Sequence, residues 1–194
     1  ELSGRSFDPF FDQWVYHARY PDLKVTYRWL SKEKRAKVSV EQTHEVSQDV
    51  LLFRFPAKLR FIMGTTAVDH DIEINEKTHD FFVPLPEKPR IVRFDPEYSV
   101  LADVAFEKSD EMLFAQLENR NDVIGQLLAA ESLASRDTHK SVERLKGALQ
   151  TDPFFGVRIG ASIALRKIHN ESAFAALAES LDQPDARVRL QVVE

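Results

Sequence analysis

Leu23-Lys24-Val25-Thr26-Tyr27-Arg28-Trp29 alternates without a break: Leu23, Val25, Tyr27 and Trp29 share one face, and Lys24, Thr26 and Arg28 take the other. Successive side chains of an extended strand point to opposite faces, so such a run has one side to bury and one to leave in water. Ala36, Val38 and Val40 repeat the pattern against Lys37, Ser39 and Glu41. Further candidate strands are Leu51–Phe55, Ala57–Met63, Val68–Ile74, Phe81–Leu85, Arg90–Phe94 and Val100–Phe106. Pro56 interrupts this series, which predicts a bulged or edge strand there. The connectors Ser31-Lys32-Glu33-Lys34, Gly64-Thr65-Thr66, Asn75-Glu76-Lys77 and Asp95-Pro96-Glu97 are short and rich in turn formers. Half-buried strands joined in this way belong to antiparallel sheets, and seven or eight of them predict a β-sandwich of immunoglobulin-like size.

Beyond Ser109 the period changes. Val142, Leu145 and Leu149 return as Phe174, Leu177 and Leu181, and Ala129 and Leu133 return as Ala161 and Leu165, each 32 positions later. Pro153, Val157 and Arg158 return as Pro184, Val188 and Arg189 at 31. A period of this size marks stacked helix pairs, because one pair cannot bury its apolar face alone. The expected fold is therefore multidomain, β followed by all-α: an immunoglobulin-like antiparallel β-sandwich, then a truncated HEAT-like helical repeat array. Asp152-Pro153 predicts a cap and first turn of one helix, and Asn170 the cap of the next. Before the strands, Phe7, Phe10, Phe11 and Trp14 are spaced as one face of a short aromatic helix within Ser6–Tyr16 that needs a partner surface.

Composition narrows the function. With 43% apolar and 29% charged residues, 194 residues can bury a core, so disorder is a poor reading. A net charge of −5 opposes binding by phosphate neutralisation, and no nucleic-acid partner is expected. The basic run Lys32, Lys34, Arg35 and Lys37 is broken by Glu33 and reads as a solvated hairpin tip. Cysteine is absent, which removes disulfides and thiolate metal sites and leaves cytoplasm and periplasm open. No apolar run approaches the roughly 20 residues of a membrane-spanning helix, and Glu1 to Asp8 have no secretory-signal pattern. The chain opens on Glu1, and the helical run Val188, Leu190, Val193 reaches Glu194 with no stop signal, so both ends read as cut.

Catalytic patterns are missing. The only His-Glu pair, His44-Glu45, lacks the second histidine that places two imidazoles on one zinc. His70 lies between Asp69 and Asp71, but strand geometry puts both aspartates on the face opposite to it. His79 beside Asp80 reads as a strand position and His17 as a member of the aromatic cluster. There is no Gly-rich phosphate loop and no Gly-x-Ser-x-Gly elbow. Asn170-Glu171-Ser172 matches a glycosylation sequon yet is explained by a helix start. Arg158 and Arg189 recur either as a ligand-facing ladder or, as we favour, as partners of acids such as Asp152 and Asp185. No catalytic, cofactor-binding or metal residue is assigned.

Phe10-Phe11-Asp12-Gln13-Trp14-Val15 followed by Pro21-Asp22-Leu23-Lys24-Val25 resembles the end of the catalytic helical domain in aminopeptidase N-type zinc metallopeptidases, the gluzincin membrane alanyl aminopeptidase family. The family's turn glycine is replaced within Ala18-Arg19-Tyr20. The resemblance continues in order through Tyr27-x-Trp29, Val40-Glu41-Gln42-Thr43, Phe53-Arg54-Phe55-Pro56 and Phe94-Asp95-Pro96. Asp152-Pro153-x-x-x-Val157-Arg158 is similar to the repeats of bacterial members with HEAT-like C-terminal arrays.

The resemblance implies three parts: residues 1–20 ending the preceding catalytic domain, residues 21–107 forming the sandwich, and residues 108–194 forming the repeats. It implies that zinc ligands, general base and substrate anchor lie upstream of the Phe-x-x-Trp helix. This chain would then hold no cofactor, zinc belonging to the whole protein. The sandwich would act as a spacer and the repeats would cap the cleft that admits peptide substrates. Its partner would be its own upstream catalytic domain. Exposed Phe7, Phe10, Phe11, Trp14, Val188 and Leu190 would also favour a truncation-driven dimer. Two alternatives stand beside this reading. One is a metal-free scaffold similar to the aminopeptidase-like subunit of transcription factor TFIID; the other is an unrelated sandwich/HEAT adaptor for protein–protein interaction.

Overall fold

The structure is a computed structural model that describes residues 6–17 and 19–193; Ala18 of the expected turn and the terminal Glu194 lie outside the described residues. The chain divides at Lys108/Ser109 into two compact units.

The first unit opens with a short helix, α1 (Asp8–Phe11), that widens into a π-helical turn over Asp12–Tyr16. Seven strands follow: β1 (Asp22–Leu30), β2 (Arg35–Gln42), β3 (Phe55–Met63), β4 (Thr66–Ile74), β5 (Thr78–Pro84), β6 (Ile91–Phe94) and β7 (Asp103–Phe106). They form a four-stranded sheet ordered β5-β2-β1-β7 and a three-stranded sheet ordered β4-β3-β6. All pairs are antiparallel except β1 with β7, which run parallel, with Leu23 opposite Val104. The expected sandwich is thus antiparallel-rich, with one parallel seam.

Alternation is cleanest where two neighbours fix the strand. In β2, Ala36, Val38 and Val40 are buried between β1 and β5 while Arg35 and Glu41 stay out. In β3, Phe55, Ala57, Leu59, Phe61 and Met63 are all buried. Tyr27 and Trp29 of β1 are only half-buried, so the apolar face of that strand fades towards its end. The tight reversals use left-handed backbone, at Lys34 (φ 48°) after β1 and at Gly64 (φ 56°) between β3 and β4. Glycine adopts that conformation without a Cβ penalty, as the second turn needs.

Two expected strands are shorter than predicted, for one physical reason. Only Phe55 of Leu51–Phe55 is in a strand, because side-chain amides occupy the backbone groups just before it. Gln42 Nε2 donates to Phe53 O (2.8 Å), and Phe53 N donates to Gln42 Oε1 (2.9 Å). Gln13 treats Arg54 in the same way, Nε2 to Arg54 O (3.0 Å) and Arg54 N to Oε1 (2.6 Å). A carboxamide sets an N–H beside a C=O as a peptide edge does, so each glutamine stands in for a strand neighbour. Val100–Phe106 likewise begins as a strand only at Asp103. The Asp95 carboxylate has already accepted from Ser99 N (3.0 Å) and Val100 N (2.9 Å). Pro56 is neither in a bulge nor on an edge strand. It lies at the start of central β3, opposite Glu73, beyond the reach of β6, which pairs only with Leu59–Ile62. Its missing N–H therefore costs no bond on that side.

The second unit contains α2 (Asp110–Leu117), α3 (Val123–Leu133), α4 (His139–Thr151), α5 (Phe155–Lys167), α6 (Glu171–Ala178) and α7 (Ala186–Val193). Their starts are set locally: Ser109, Asp122, Thr138 and Asn170 each accept a bond from the backbone N–H three residues on. One core runs through the unit, built on Leu113, Leu117, Ala129, Leu133, Leu145, Leu149, Ala161, Leu165 and their neighbours. The repeat positions identified from spacing are thus the buried ones in the first two helix pairs. Asn170 caps α6 as expected, but Asp152 does not open α5 directly. It ends α4, its Oδ1 accepts from Phe154 N (2.9 Å), and α5 begins at Phe155. Gln126 Nε2 holds the other carboxylate oxygen (2.7 Å), which fixes Asp152 in the buried turn.

Among the described residues no helix is long and apolar enough to cross a membrane.

Candidate functional site

A concavity in the first unit begins with the π turn. One extra residue in that turn changes which side chains face inward. Gln13 is buried on the Arg54 backbone, and Trp14 packs on Phe53 and Phe55 with ring centroids 5.3 and 6.2 Å apart. Phe7, Phe10 and Phe11 stay exposed. The expected single face of Phe7, Phe10, Phe11 and Trp14 is therefore split: tryptophan turns in and the phenylalanines face out. Between helix and sandwich lies a groove of about 670 Å³, lined by Phe10, Trp14, Phe55, Pro56, Val100 and Leu101 among others. Arg54, whose side chain is exposed, stands at the same groove. The lining offers apolar contact and one cation.

Several of the polar residues singled out from sequence have local partners. Asp69 accepts a two-pronged bond from Arg60 (Nε to Oδ1 and Nη2 to Oδ2, both 2.7 Å), with Lys58 and Glu97 alongside. That bond from Arg60 holds the Asp69 carboxyl below the usual carboxylate range. Asp69 lies opposite Arg60, Asp71 opposite Lys58 and His70 opposite Leu59, so the aspartates and histidine do occupy different faces. Asp80 is held low in the same way, first by Lys37 (2.7 Å) and then by Ser39 (2.5 Å). His79 stacks on Phe81, two residues along the same strand (4.3 Å). His44 is buried, its Nε2 3.1 Å from Leu51 O and its ring edge-on to Phe53. His17 closes on its own turn, with Nδ1 2.8 Å from Asp12 O. Lys37 of the basic run is tied to Asp80, and Arg35 lies 3.9 Å from Glu33. Among the described residues no three His, Asp or Glu side chains converge as a metal-holding group.

Arg158 and Arg189 bond to backbone carbonyls. Arg158 Nη1 donates to Asp152 O (2.7 Å) and Pro153 O (3.4 Å); Arg189 Nη1 donates to Gln183 O (2.6 Å) and Pro184 O (3.1 Å). Each arginine reaches back six residues to tie down the carbonyls of the turn before its own helix. The carboxylate of Asp185 goes instead to Arg187 (2.7 Å). Sequence spacing found the equivalence of the two arginines and Asp152 as a partner of Arg158, through its carbonyl rather than its carboxylate; for Arg189 the acceptors are Gln183 and Pro184 instead of Asp185. The residues it missed are Gln13, Gln42 and Gln126, because a glutamine carries no periodic signal of burial.

Residues 111–194 match the family described as HEAT repeats. Transcription initiation factor TFIID subunit 2 of Danio rerio is 24% identical over 87% of this chain and 17% of its own length. The same subunit in Gallus gallus gives the same figures. In Drosophila melanogaster it is 23% identical over 88% of this chain and 16% of that protein. The chain thus spans about a sixth of the length of these curated relatives. Among solved structures, Legionella pneumophila aminopeptidase A in complex with aspartic acid matches with a TM-score of 0.62 at 14% identity, covering 98% of this chain and 23% of that one. At that identity the likeness is one of fold. The chain is a β-sandwich followed by HEAT-like repeats, an arrangement also present within an aminopeptidase.

Proposed function

We propose that this chain is the non-catalytic, post-catalytic part of a zinc aminopeptidase that removes N-terminal residues from peptides. Residues 21–107 act as the spacer, residues 108–194 cap the cleft, and residues 1–20 end the catalytic domain that is its partner. The observation that carries the reading is the match of nearly the whole chain, sandwich and repeats in the same order, within the Legionella aminopeptidase fold. The order of motifs from Phe10 to Phe94-Asp95-Pro96 supports it independently. In this reading zinc belongs upstream, and the repeats restrict which peptides enter by walling off the cleft from solvent.

The test uses the longer protein that contains this chain. Hydrolysis of aminoacyl nitroanilides, lost on chelation and restored by zinc, is the expected result. Deleting residues 108–194 should then broaden the accepted peptide length.

A second reading, a metal-free scaffold, has the TFIID subunit 2 likeness in its favour. It predicts neither hydrolysis nor zinc in the longer protein, and that outcome would replace the peptidase reading.

A further inference from the structure

The β unit carries its charge unevenly. Residues 28–37 hold five cations and one acid, and residues 84–90 two cations and one acid, in a chain whose net charge is −5. The fold gathers both segments at one end of the unit. Leu85 N donates to Lys34 O (3.0 Å) and Arg90 N to Ile62 O (2.8 Å), so the connector from β5 to β6 starts beside the β1–β2 turn. Lys88 and Arg90 thereby join Lys32 and Lys34 at that end.

The outer face of the four-stranded sheet continues the same charge. Ala36, Val38 and Val83 are buried, so Lys37 and Phe82, their neighbours along the strands, point away from the core. Arg28 lies opposite Lys37, and Lys37 opposite Phe82, in one row across three strands. Like charges directly opposite one another destabilise a sheet. Lys37 is relieved by Asp80 at 2.7 Å and lies 5.6 Å from the centre of the Phe82 ring. Arg28 is exposed, and among the described residues no acid pairs with it. Phe82, at the end of the row, leaves 48% of its surface open on this cationic face. The next row sets exposed Arg35 between Leu30 and Pro84.

We propose that this corner of the sheet, Arg28, Arg35, Lys37 and Phe82 with Lys32 and Lys34 at its rim, docks an acidic segment of a partner polypeptide. Arg28 and Phe82 are two strand spacings apart, about 10 Å, which about three residues of extended chain span. A carboxylate accepting from Arg28 supplies the missing counter-charge, and an apolar side chain further along the segment covers Phe82. A nucleic acid fits less well, because Glu33 and Glu87 interrupt the basic end and a chain of net charge −5 repels a long polyanion. The same net charge opposes a second copy. The proposal does not rest on the peptidase reading.

The probe is a labelled peptide of about ten residues, aspartates and glutamates around one phenylalanine, titrated into this chain at low salt and followed by fluorescence anisotropy. It should bind, and raising the salt to about 0.5 M should weaken binding by about tenfold or more. Arg28→Glu should weaken it by about tenfold at low salt. That variant should not lower the unfolding midpoint, since it replaces a like-charged cross-strand pair by an opposite one. Phe82→Ala should weaken binding and leave its salt dependence unchanged. Lys77→Glu, in the turn at the other end of the unit, makes the same change in charge and should alter binding by less than about twofold. Equal weakening by Lys77→Glu would overturn the proposal, because binding would then follow net charge alone. So would failure of the peptide to bind, or tighter binding of a single-stranded DNA oligonucleotide of equal length. A low-salt dimer in sedimentation velocity that Arg28→Glu dissolves would also overturn it, the occupant then being a second copy.

Discussion

The two units satisfy their backbones by different means. In the helical unit the solution is local and repeated: a cap residue at each of four helix starts, and an arginine reaching back six residues in two successive turns. In the β unit the decisive bonds are single side-chain clamps between different segments, one across 41 residues and one across 11. Gln13 reaches Arg54 and Gln42 reaches Phe53, each replacing a neighbouring strand. Repeated local chemistry leaves a period in the sequence, whereas an amide clamp made once leaves none. The first unit presents a groove beside Trp14 that depends on such a clamp at Gln13.

This contrast can be broken most severely in the helical core. Leu145→Ala removes a fully buried side chain from the middle repeat and should cost about 2–5 kcal/mol, read by urea unfolding followed by circular dichroism. Leu181→Ala, at the equivalent but exposed position, should cost well under about 1 kcal/mol. Equal losses at the two sites would mean that the repeats are not arranged as described.

The β unit is sharpened by Gln42→Ala. That change leaves the N–H and C=O of buried Phe53 without their partner and should cost about 1–3 kcal/mol in the same measurement. Gln42→Glu, which sets a carboxylate oxygen against the Phe53 and Glu76 carbonyls, should cost at least as much as alanine. Local capping is weaker. Asn170→Ala should cost about 1 kcal/mol and speed amide exchange at Ala173 first.

The smallest effect is one of pH. Burial pushes the Tyr27 phenol up to about 12 from an ordinary value of 10, so the folded chain keeps a proton that the unfolded chain releases. Stability associated with Tyr27 is therefore intact below pH 10 and declines as pH rises from 10 to 12. Tyr27→Phe should flatten that decline in alkaline unfolding curves. Absorbance titration should find this one phenol ionising late; an ordinary titration midpoint would contradict its buried setting.

Much of the fold was legible because burial and period coincide. Leu23 and Val25, Ala36 to Val40, and the Val142/Leu145/Leu149 ridge are buried where alternation or spacing placed them. The reading failed where something other than period decided. The π turn rotated Trp14 inward, so the aromatic face was not exposed as a whole. Val188, expected to be exposed at the end of the array, is fully buried, as its counterpart Val157 is. Being near the last described residue matters less than occupying a core position of the repeat. Leu190, the other residue expected there, is exposed. The groove itself was invisible in the sequence because it needs Phe10 and Trp14 beside Val100 and Leu101, close to a hundred residues apart.

In the proposed reading both units position and cover, and the reaction chemistry belongs to the upstream part of the longer protein. The most direct test of that reading is the metal content of this chain, purified, exposed to zinc and then dialysed, measured by atomic emission. The account predicts no stoichiometric zinc and no release of amino acids from peptides. One tightly held zinc per chain, accompanied by hydrolysis, would contradict it.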